Sequence, residues 1–169
     1  MKMIWCLLVV FVDVQALVYR KTDWITKAGD KIQFAVNLST LGKTWILGDS
    51  SGRMLYLKAT LATVAETEIL KNITHQKRPC DVCPLTNRSC VCYKSFPSGH
   101  TSFAFASPSY EFYRYGLKSS IPGYIAASMV GYSRVHGKRH HWRDVIAGAL
   151  LAQLNAYLGM KISGLSLYY

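Results

Sequence analysis

The sequence predicts an all-α protein folded as a compact helical bundle. Apolar residues recur at three- and four-residue spacing along the body of the 169-residue chain, without the alternation typical of strands. Half of the residues are hydrophobic, which is enough to bury a core and excludes a disordered chain. The length fits a single domain, with little left for a second.

Each helix has its own signals in the sequence. The first is predicted over residues 30–47 and ends at the Gly-rich turn Gly48–Gly52. The second is predicted over Arg53–Asn72, where Leu, Ala, Glu and Lys favour a helix. Pro122 is predicted in the first turn of the helix that begins near Ser120, where its missing N–H costs nothing. Three further helices are predicted to begin near Ser98, Ser120 and Asp144.

The hydropathy of these segments leaves membrane insertion open. Val145–Met160 is the longest uncharged stretch of the body, and its 16 residues fall short of the roughly 20 that span a bilayer. The other predicted helices carry Lys, Arg or Glu. We therefore expect a bundle that is able to lie partly in a bilayer.

The charge balance favours anionic partners. Lys and Arg number 20 against 9 Asp and Glu, which gives a formal net charge of +11. Phosphorylated substrates, an anionic membrane face and nucleic acid all fit such an excess. Composition alone does not choose among the three.

The N-terminus has the pattern of an export signal. Lys2 precedes the apolar run Met3–Val12, Asp13 breaks the run, and Ala16 offers a small residue for cleavage. We interpret residues 1–16 as a signal peptide, with a retained N-terminal anchor as the alternative. Residues 17–169 would then form one exported domain, in the periplasm or at a membrane.

Four cysteines crowd into one polar segment with the spacing C-x2-C-x6-C-x-C. In an oxidising compartment this pattern indicates two disulfides, in one of three connectivities. A tetrahedral zinc–thiolate site is the alternative, although the tight C-x-C pair makes it awkward. The disulfide candidates are Cys80, Cys83, Cys90 and Cys92.

Two stretches combine basic residues with a turn. Lys71 and Arg78 are seven residues apart, so two turns of one helix would direct both at the same anion. Pro97-Ser98-Gly99-His100 predicts a turn that opens a helix, whose free N–H groups can hold a phosphate. His100 lies beside these groups, where it could deliver a proton to a leaving oxygen.

A third stretch, Ser133–Asp144, pairs histidine with a carboxylate. Asp144 follows His140 by four residues, so on a helix the two would share a face and the carboxylate could fix the imidazole tautomer. His141 is the rival, because it lies three residues before Asp144. Taken singly, each of the three stretches also fits a solvated basic face or a helix cap.

Together, the three stretches read K-x6-RP, PSGH and SR-x5-H-x3-D, and in this order they resemble the signature of the type 2 phosphatidic acid phosphatase family. That family is related to the vanadium haloperoxidases and the bacterial non-specific acid phosphatases. The resemblance covers roughly residues 29–159, including the Gly29-Asp30 and Gly48-Asp49 segments. The signature positions are Lys71, Arg78, Pro79, Pro97, Ser98, Gly99, His100, Ser133, Arg134, His140 and Asp144.

The resemblance implies a helical bundle with the active site between the helices and no metal or cofactor. His140 would attack phosphorus, oriented by Asp144, and His100 would protonate the leaving alcohol. The phosphoryl oxygens would be bound by Lys71, Arg78, Ser98, Gly99 and Arg134.

The same resemblance implies a phosphorylated lipid or another phosphate ester as substrate, with membrane contact, no nucleic acid and the site outside the cytoplasm. Two alternatives remain at this point. One is a soluble, broad-specificity acid phosphatase, and the other is a non-catalytic protein that binds anionic lipid.

Overall fold

The computed structural model describes residues 24–79 and 93–165. Five α-helices and no strand occur within these ranges, which confirms the all-α prediction. The predicted signal peptide and all four clustered cysteines lie outside the described residues. The helices are α1 (Trp24–Ile46), α2 (Ser50–Thr74), α3 (Gly99–Tyr115), α4 (Leu117–His136) and α5 (Trp142–Ser163).

Helix α3 lies at the centre of the bundle and packs against each of the other four helices. A small apolar cluster of Ala104, Ala127 and Val130 joins α3 to α4, with Ile32 and Phe105 packed against it. Because α3 begins at Gly99, its N-terminal end brings the PSGH segment to one end of the bundle. The other helices can therefore all contribute side chains to that end.

The interior of the bundle is largely polar and much of its surface is apolar. Asn37 on α1 donates to the Phe103 carbonyl oxygen at 3.0 Å, and Thr40 donates to a Glu111 carboxylate oxygen at 2.6 Å. Buried polar groups are tolerated when they are paired in this way. The outward face of α1 exposes four large apolar side chains, those of Phe34, Leu38, Trp45 and Ile46.

One described helix, α5, is long and apolar enough to cross a membrane. A buried core helix of a soluble protein meets the same criterion of length and composition. The outward apolar faces add a separate observation, because a bundle folded in water would turn such side chains inward. Exposed large apolar residues occur on α1, α2, α4 and α5, among them Leu38, Leu61, Ile125, Leu150 and Ile162, whereas the central α3 exposes none.

The predicted position of Pro122 was wrong. Helix α4 begins at Leu117, three residues before the expected start, so Pro122 lies inside the helix. The boundary is set by Gly116, whose φ of 84° belongs to the region that favours glycine and separates α3 from α4. Pro108 likewise lies inside α3.

A buried ionic cluster closes the end of the bundle opposite α3's N-terminus. Asp49 caps α2 by accepting from the Gly52 N–H at 2.9 Å, and it accepts from Arg114 Nε at 2.8 Å and Nη2 at 2.9 Å. The Tyr115 hydroxyl donates to the same carboxylate at 3.0 Å. Hydrogen bonding from Arg114 lowers the pKa of Asp49 to about 2. This cluster fixes α2 against α3, the helices that carry Lys71 and His100.

Candidate active site

His140 lies buried in the turn between α4 and α5, with 3% of its surface exposed. Its Nδ1 atom is 2.8 Å from the Ser95 carbonyl oxygen. A carbonyl oxygen only accepts hydrogen bonds, so Nδ1 of the neutral ring carries the proton. Nε2 is therefore left with its lone pair, as a nucleophilic imidazole requires.

The surroundings of His140 keep its ring neutral. Burial lowers the pKa of His140 from 6.5 to about 3. Positive charges on three neighbouring side chains act in the same direction, those of Lys71, Arg78 and His100. The structure thus gathers residues from all three sequence stretches around one imidazole.

Asp144 reaches His140 less directly than the helical spacing predicted. Helix α5 begins at Trp142, so His140 precedes the helix and the two residues do not share a helical face. The Asp144 Oδ2 atom is 3.6 Å from His140 Nδ1, which is beyond hydrogen-bond distance. The same oxygen accepts from the Ser95 hydroxyl at 2.5 Å and from the His141 N–H at 2.9 Å.

His141 occupies the N-cap position of α5. The Asp144 carboxylate accepts from the His141 N–H at 2.9 Å, and the Asp144 N–H donates to the His141 carbonyl oxygen at 3.0 Å. The two adjacent histidines therefore differ in surroundings. His140 sits among the cations, and His141 is engaged with the start of the helix.

Asp30 belongs to the site, although the sequence analysis gave it no role. Its Oδ1 atom is 2.6 Å from Arg134 Nη1 and 3.3 Å from His100 Nε2. One carboxylate on α1 thus bridges a predicted phosphate ligand and the predicted general acid. The sequence feature that could have indicated a role for Asp30 was the Gly29-Asp30 pair, which lies within the stretch that resembles the family.

Arg134 is fully buried and is held by several groups besides Asp30. It donates from Nη2 to the Thr26 carbonyl oxygen at 2.7 Å and from Nε to the Ser133 hydroxyl at 3.0 Å. Helix α1 must approach closely for these contacts, and Gly29 allows it. A Cβ at Gly29 would lie 2.0 Å from the Ser133 hydroxyl oxygen.

Lys71 lies beside the first residue of α3. Its Nζ atom is 2.7 Å from Glu68 Oε1, and a Cβ built on Gly99 would approach Nζ to 2.8 Å. The first N–H groups of a helix lack intrahelical partners and attract anions. Glycine at position 99 therefore keeps space open between an ammonium group and a helix N-terminus.

The prediction that one helix carries both Lys71 and Arg78 was wrong. Helix α2 ends at Thr74, and His75 follows in the left-handed region with φ 45°. Arg78 lies in the following loop, where Nη2 donates to the Lys94 carbonyl oxygen at 3.4 Å. The loop, and not a helical face, brings Arg78 close enough to His140 to affect its pKa.

Ser98 is fully buried at the N-cap of α3, and it joins α3 to α5. Its hydroxyl oxygen accepts from the Thr101 hydroxyl at 2.9 Å, and its N–H donates to the Asp144 carbonyl oxygen at 2.9 Å. Gly148 permits this approach, because a Cβ there would lie 2.7 Å from the Ser98 carbonyl oxygen. The PSGH turn is thus fastened to the helix that carries Asp144.

A neutral imidazole, several cations and a helix N-terminus together suit a phosphate ester. Within residues 24–79 and 93–165, no group of three or more His, Cys, Asp or Glu side chains is arranged to hold a metal ion. Residues 52–166 match the PAP2 superfamily. The chain belongs to this superfamily. The predicted family is thereby confirmed.

Two solved structures of PAP2 proteins share the fold. The crystal structure of Aquifex aeolicus LpxE aligns with a TM-score of 0.66 and 22% identity, over 82% of this chain and 84% of that one. A transmembrane PAP2-type phosphatidylglycerolphosphate phosphatase from Bacillus subtilis aligns with a TM-score of 0.61 and 22% identity, over 88% and 80% of the two chains. At this identity the likeness establishes the helical fold.

PAP2 relatives with named activities are similar over shorter stretches. A lipid A 1-phosphatase of Porphyromonas gingivalis is 43% identical over 74 residues, which is 42% of this chain and 17% of the relative. A lipid A 4'-phosphatase of Helicobacter pylori is 35% identical over 82 residues, 48% of this chain and 37% of the relative. The chain thus matches well under half the length of these relatives.

Proposed function

We propose that this PAP2 protein is a phosphatase that hydrolyses a lipid-linked phosphate ester through a phosphohistidine on His140. The observation that carries the proposal is the buried, neutral imidazole of His140 with Lys71, Arg78 and His100 around it. A neutral Nε2 is a competent nucleophile, and the surrounding positive charge stabilises the charge that develops on a transferring phosphoryl group.

In the first step His140 Nε2 forms a bond to phosphorus as the bond from phosphorus to the leaving oxygen breaks. His100 donates a proton to that oxygen, so the product leaves as an alcohol. The cations balance the negative charge of the phosphoryl oxygens, which is the main requirement of phosphoryl transfer. The groups in this role are Lys71, Arg78, Arg134, the Ser98 hydroxyl and the N–H of Gly99.

In the second step His100, now unprotonated, accepts a proton from water as the water oxygen attacks the phosphohistidine. The bond from phosphorus to Nε2 breaks, inorganic phosphate forms and His140 returns to its neutral state. Asp30 stays beside His100 through both steps, where its carboxylate stabilises the protonated ring. No step needs a metal ion, since side-chain cations and the α3 N-terminus supply the positive charge.

The surface of the bundle supports a lipid-linked substrate. Large apolar residues are exposed on the four helices that surround α3. Trp24 and Trp45 are 77% and 69% exposed near the two ends of α1, where interfacial aromatic residues lie in membrane helices. The relatives named lipid A phosphatases agree with this substrate class. A soluble acid phosphatase, the alternative, would cover such side chains.

We also propose that the site faces the outside of the cytoplasm, because the N-terminal sequence predicts export. Exposed Lys77, Lys138 and Arg143 adjoin the site residues, and the positive-inside rule gives the opposite expectation. Green fluorescent protein fused after residue 169 distinguishes an outward-facing site from a cytoplasm-facing one, since the fused protein fluoresces only in the cytoplasm. If α5 spans the membrane, the site at its N-terminal end and the fusion beyond its C-terminal end lie on opposite sides. Fluorescence then supports an outward-facing site, and a stable fusion without fluorescence contradicts it.

Phosphate release from matched substrates tests the function. The panel pairs lipid phosphates and diphosphates in detergent micelles with water-soluble phosphate monoesters, using the wild type and His140→Ala. We expect release from the lipid esters by the wild type only. Equal rates on soluble esters without detergent would favour the soluble acid phosphatase. No release from any ester would favour the non-catalytic lipid-binding protein.

A further inference from the structure

Ser95 contacts both members of the His140–Asp144 pair. It is fully buried, its carbonyl oxygen accepts from His140 Nδ1 at 2.8 Å, and its hydroxyl donates to Asp144 Oδ2 at 2.5 Å. Its own N–H donates to the Gln76 carbonyl oxygen at 2.9 Å. The three polar groups of one residue therefore meet three different segments of the site.

The distances give Ser95 the role that the sequence pattern assigned to Asp144. Asp144 Oδ2 lies 3.6 Å from His140 Nδ1, whereas the Ser95 carbonyl oxygen lies 2.8 Å from the same nitrogen. The Ser95 carbonyl is therefore the direct acceptor that fixes the Nδ1–H tautomer. Asp144 adds its negative charge 3.6 Å from the ring, and its hydrogen bond is made to the hydroxyl of Ser95.

We propose that Ser95 is a positioning residue that couples Asp144 to the nucleophile His140. A hydroxyl bonded to a carboxylate is a short, charge-assisted contact, and it holds the Ser95 peptide in a fixed orientation. The Asp144 backbone carbonyl oxygen also accepts from the Ser98 N–H. Helix α5 therefore contacts the segment 95–98 through two hydrogen bonds. The inference rests on the proposed function, in which His140 Nε2 attacks phosphorus.

The kinetic test uses Ser95→Ala, which keeps the carbonyl and removes the hydroxyl. A small misplacement of a reacting group costs up to about a hundredfold in rate, so we expect kcat to fall about tenfold with KM nearly unchanged. Ser95→Thr retains a hydroxyl and should recover most of the loss. Ser120→Ala is the matched control, since Ser120 is equally buried but donates only to the Leu117 carbonyl.

A double-mutant cycle with Asp144→Asn separates coupling from a general structural role. If Ser95 acts through Asp144, removing the hydroxyl should cost far less in the Asp144→Asn background than in the wild type. Additive losses would contradict the proposal. Wild-type kcat in Ser95→Ala would contradict it as well.

Nitrogen-15 NMR of the histidine rings gives a readout that does not need activity. We expect the wild type to show His140 as a single Nδ1–H tautomer and Ser95→Ala to show a mixture of tautomers. Unchanged His140 nitrogen shifts in Ser95→Ala would overturn the role of Ser95. If the wild type hydrolyses no phosphate ester, but the His140 tautomer still changes from the wild type to Ser95→Ala, the proposed function is overturned and the coupling is supported.

Discussion

Asp30 and Arg134 form an ion pair across the bundle, with 2.6 Å between Oδ1 and Nη1 and 104 positions between them in the sequence. The same carboxylate oxygen lies 3.3 Å from Nε2 of His100. Helix α1 carries Asp30 and lies outside the three signature stretches. The pair therefore makes α1 part of the candidate site and fixes His100 relative to a buried guanidinium.

Asp30→Asn should lower kcat about 10- to 100-fold, because the amide no longer stabilises the positive charge that His100 carries as general acid. The measurement is kcat and KM on a lipid phosphate, together with the thermal unfolding temperature in detergent. Activity equal to the wild type would contradict the role given to Asp30.

Asp49→Asn is the matched control at the other end of the bundle, and it should affect stability more than turnover. Removing one partner of a buried ion pair takes the carboxylate away from Arg114, at a cost of roughly 3–5 kcal/mol in the free energy of unfolding. The expected result is a lower unfolding temperature with nearly normal kcat per folded molecule. A selective loss of kcat at unchanged stability would show that Asp49 influences the chemistry.

The sequence was sufficient for the helices and insufficient for the contacts between them. Spacing of apolar residues predicted the helices because it follows the helical repeat and needs no long-range information, but it did not reveal that much of the apolar face points outward. The Asp30–Arg134 contact depends on how closely α1 packs against α4, which Gly29 permits but no spacing reveals. The position of Arg78 could not be predicted from helical spacing either, because α2 ends at Thr74.

The surroundings of His140 predict an acid-sensitive fold. Its pKa is about 3 in the folded protein and about 6.5 when unfolded, so folding favours the neutral ring. This contribution to stability is fully present above about pH 6.5 and is lost as the pH falls toward about 3. His140→Asn removes the titrating group, so its unfolding temperature should decline less between those pH values than that of the wild type. Parallel declines would contradict the burial of a neutral imidazole.

Orthovanadate should inhibit competitively, because its trigonal-bipyramidal form resembles the phosphoryl transition state and suits a site lined by cations. EDTA should leave turnover unchanged, since no step in the proposed mechanism passes through a metal. Initial rates with each reagent check both expectations. Loss of activity with EDTA that zinc or magnesium restores would contradict the mechanism.

The central claim is that His140, and not its neighbour His141, forms a covalent bond to phosphorus. His141→Ala keeps the two backbone contacts between position 141 and Asp144, so it should leave most of the activity. His140→Ala removes the nucleophile and should abolish turnover.

Rapid quenching with a phosphorus-32-labelled lipid phosphate, followed by peptide mapping under alkaline conditions that preserve phosphohistidine, tests this claim most directly. The account predicts label on His140 in the wild type and in His141→Ala, and no label in His140→Ala. Label on His141, or full turnover by His140→Ala, would contradict it.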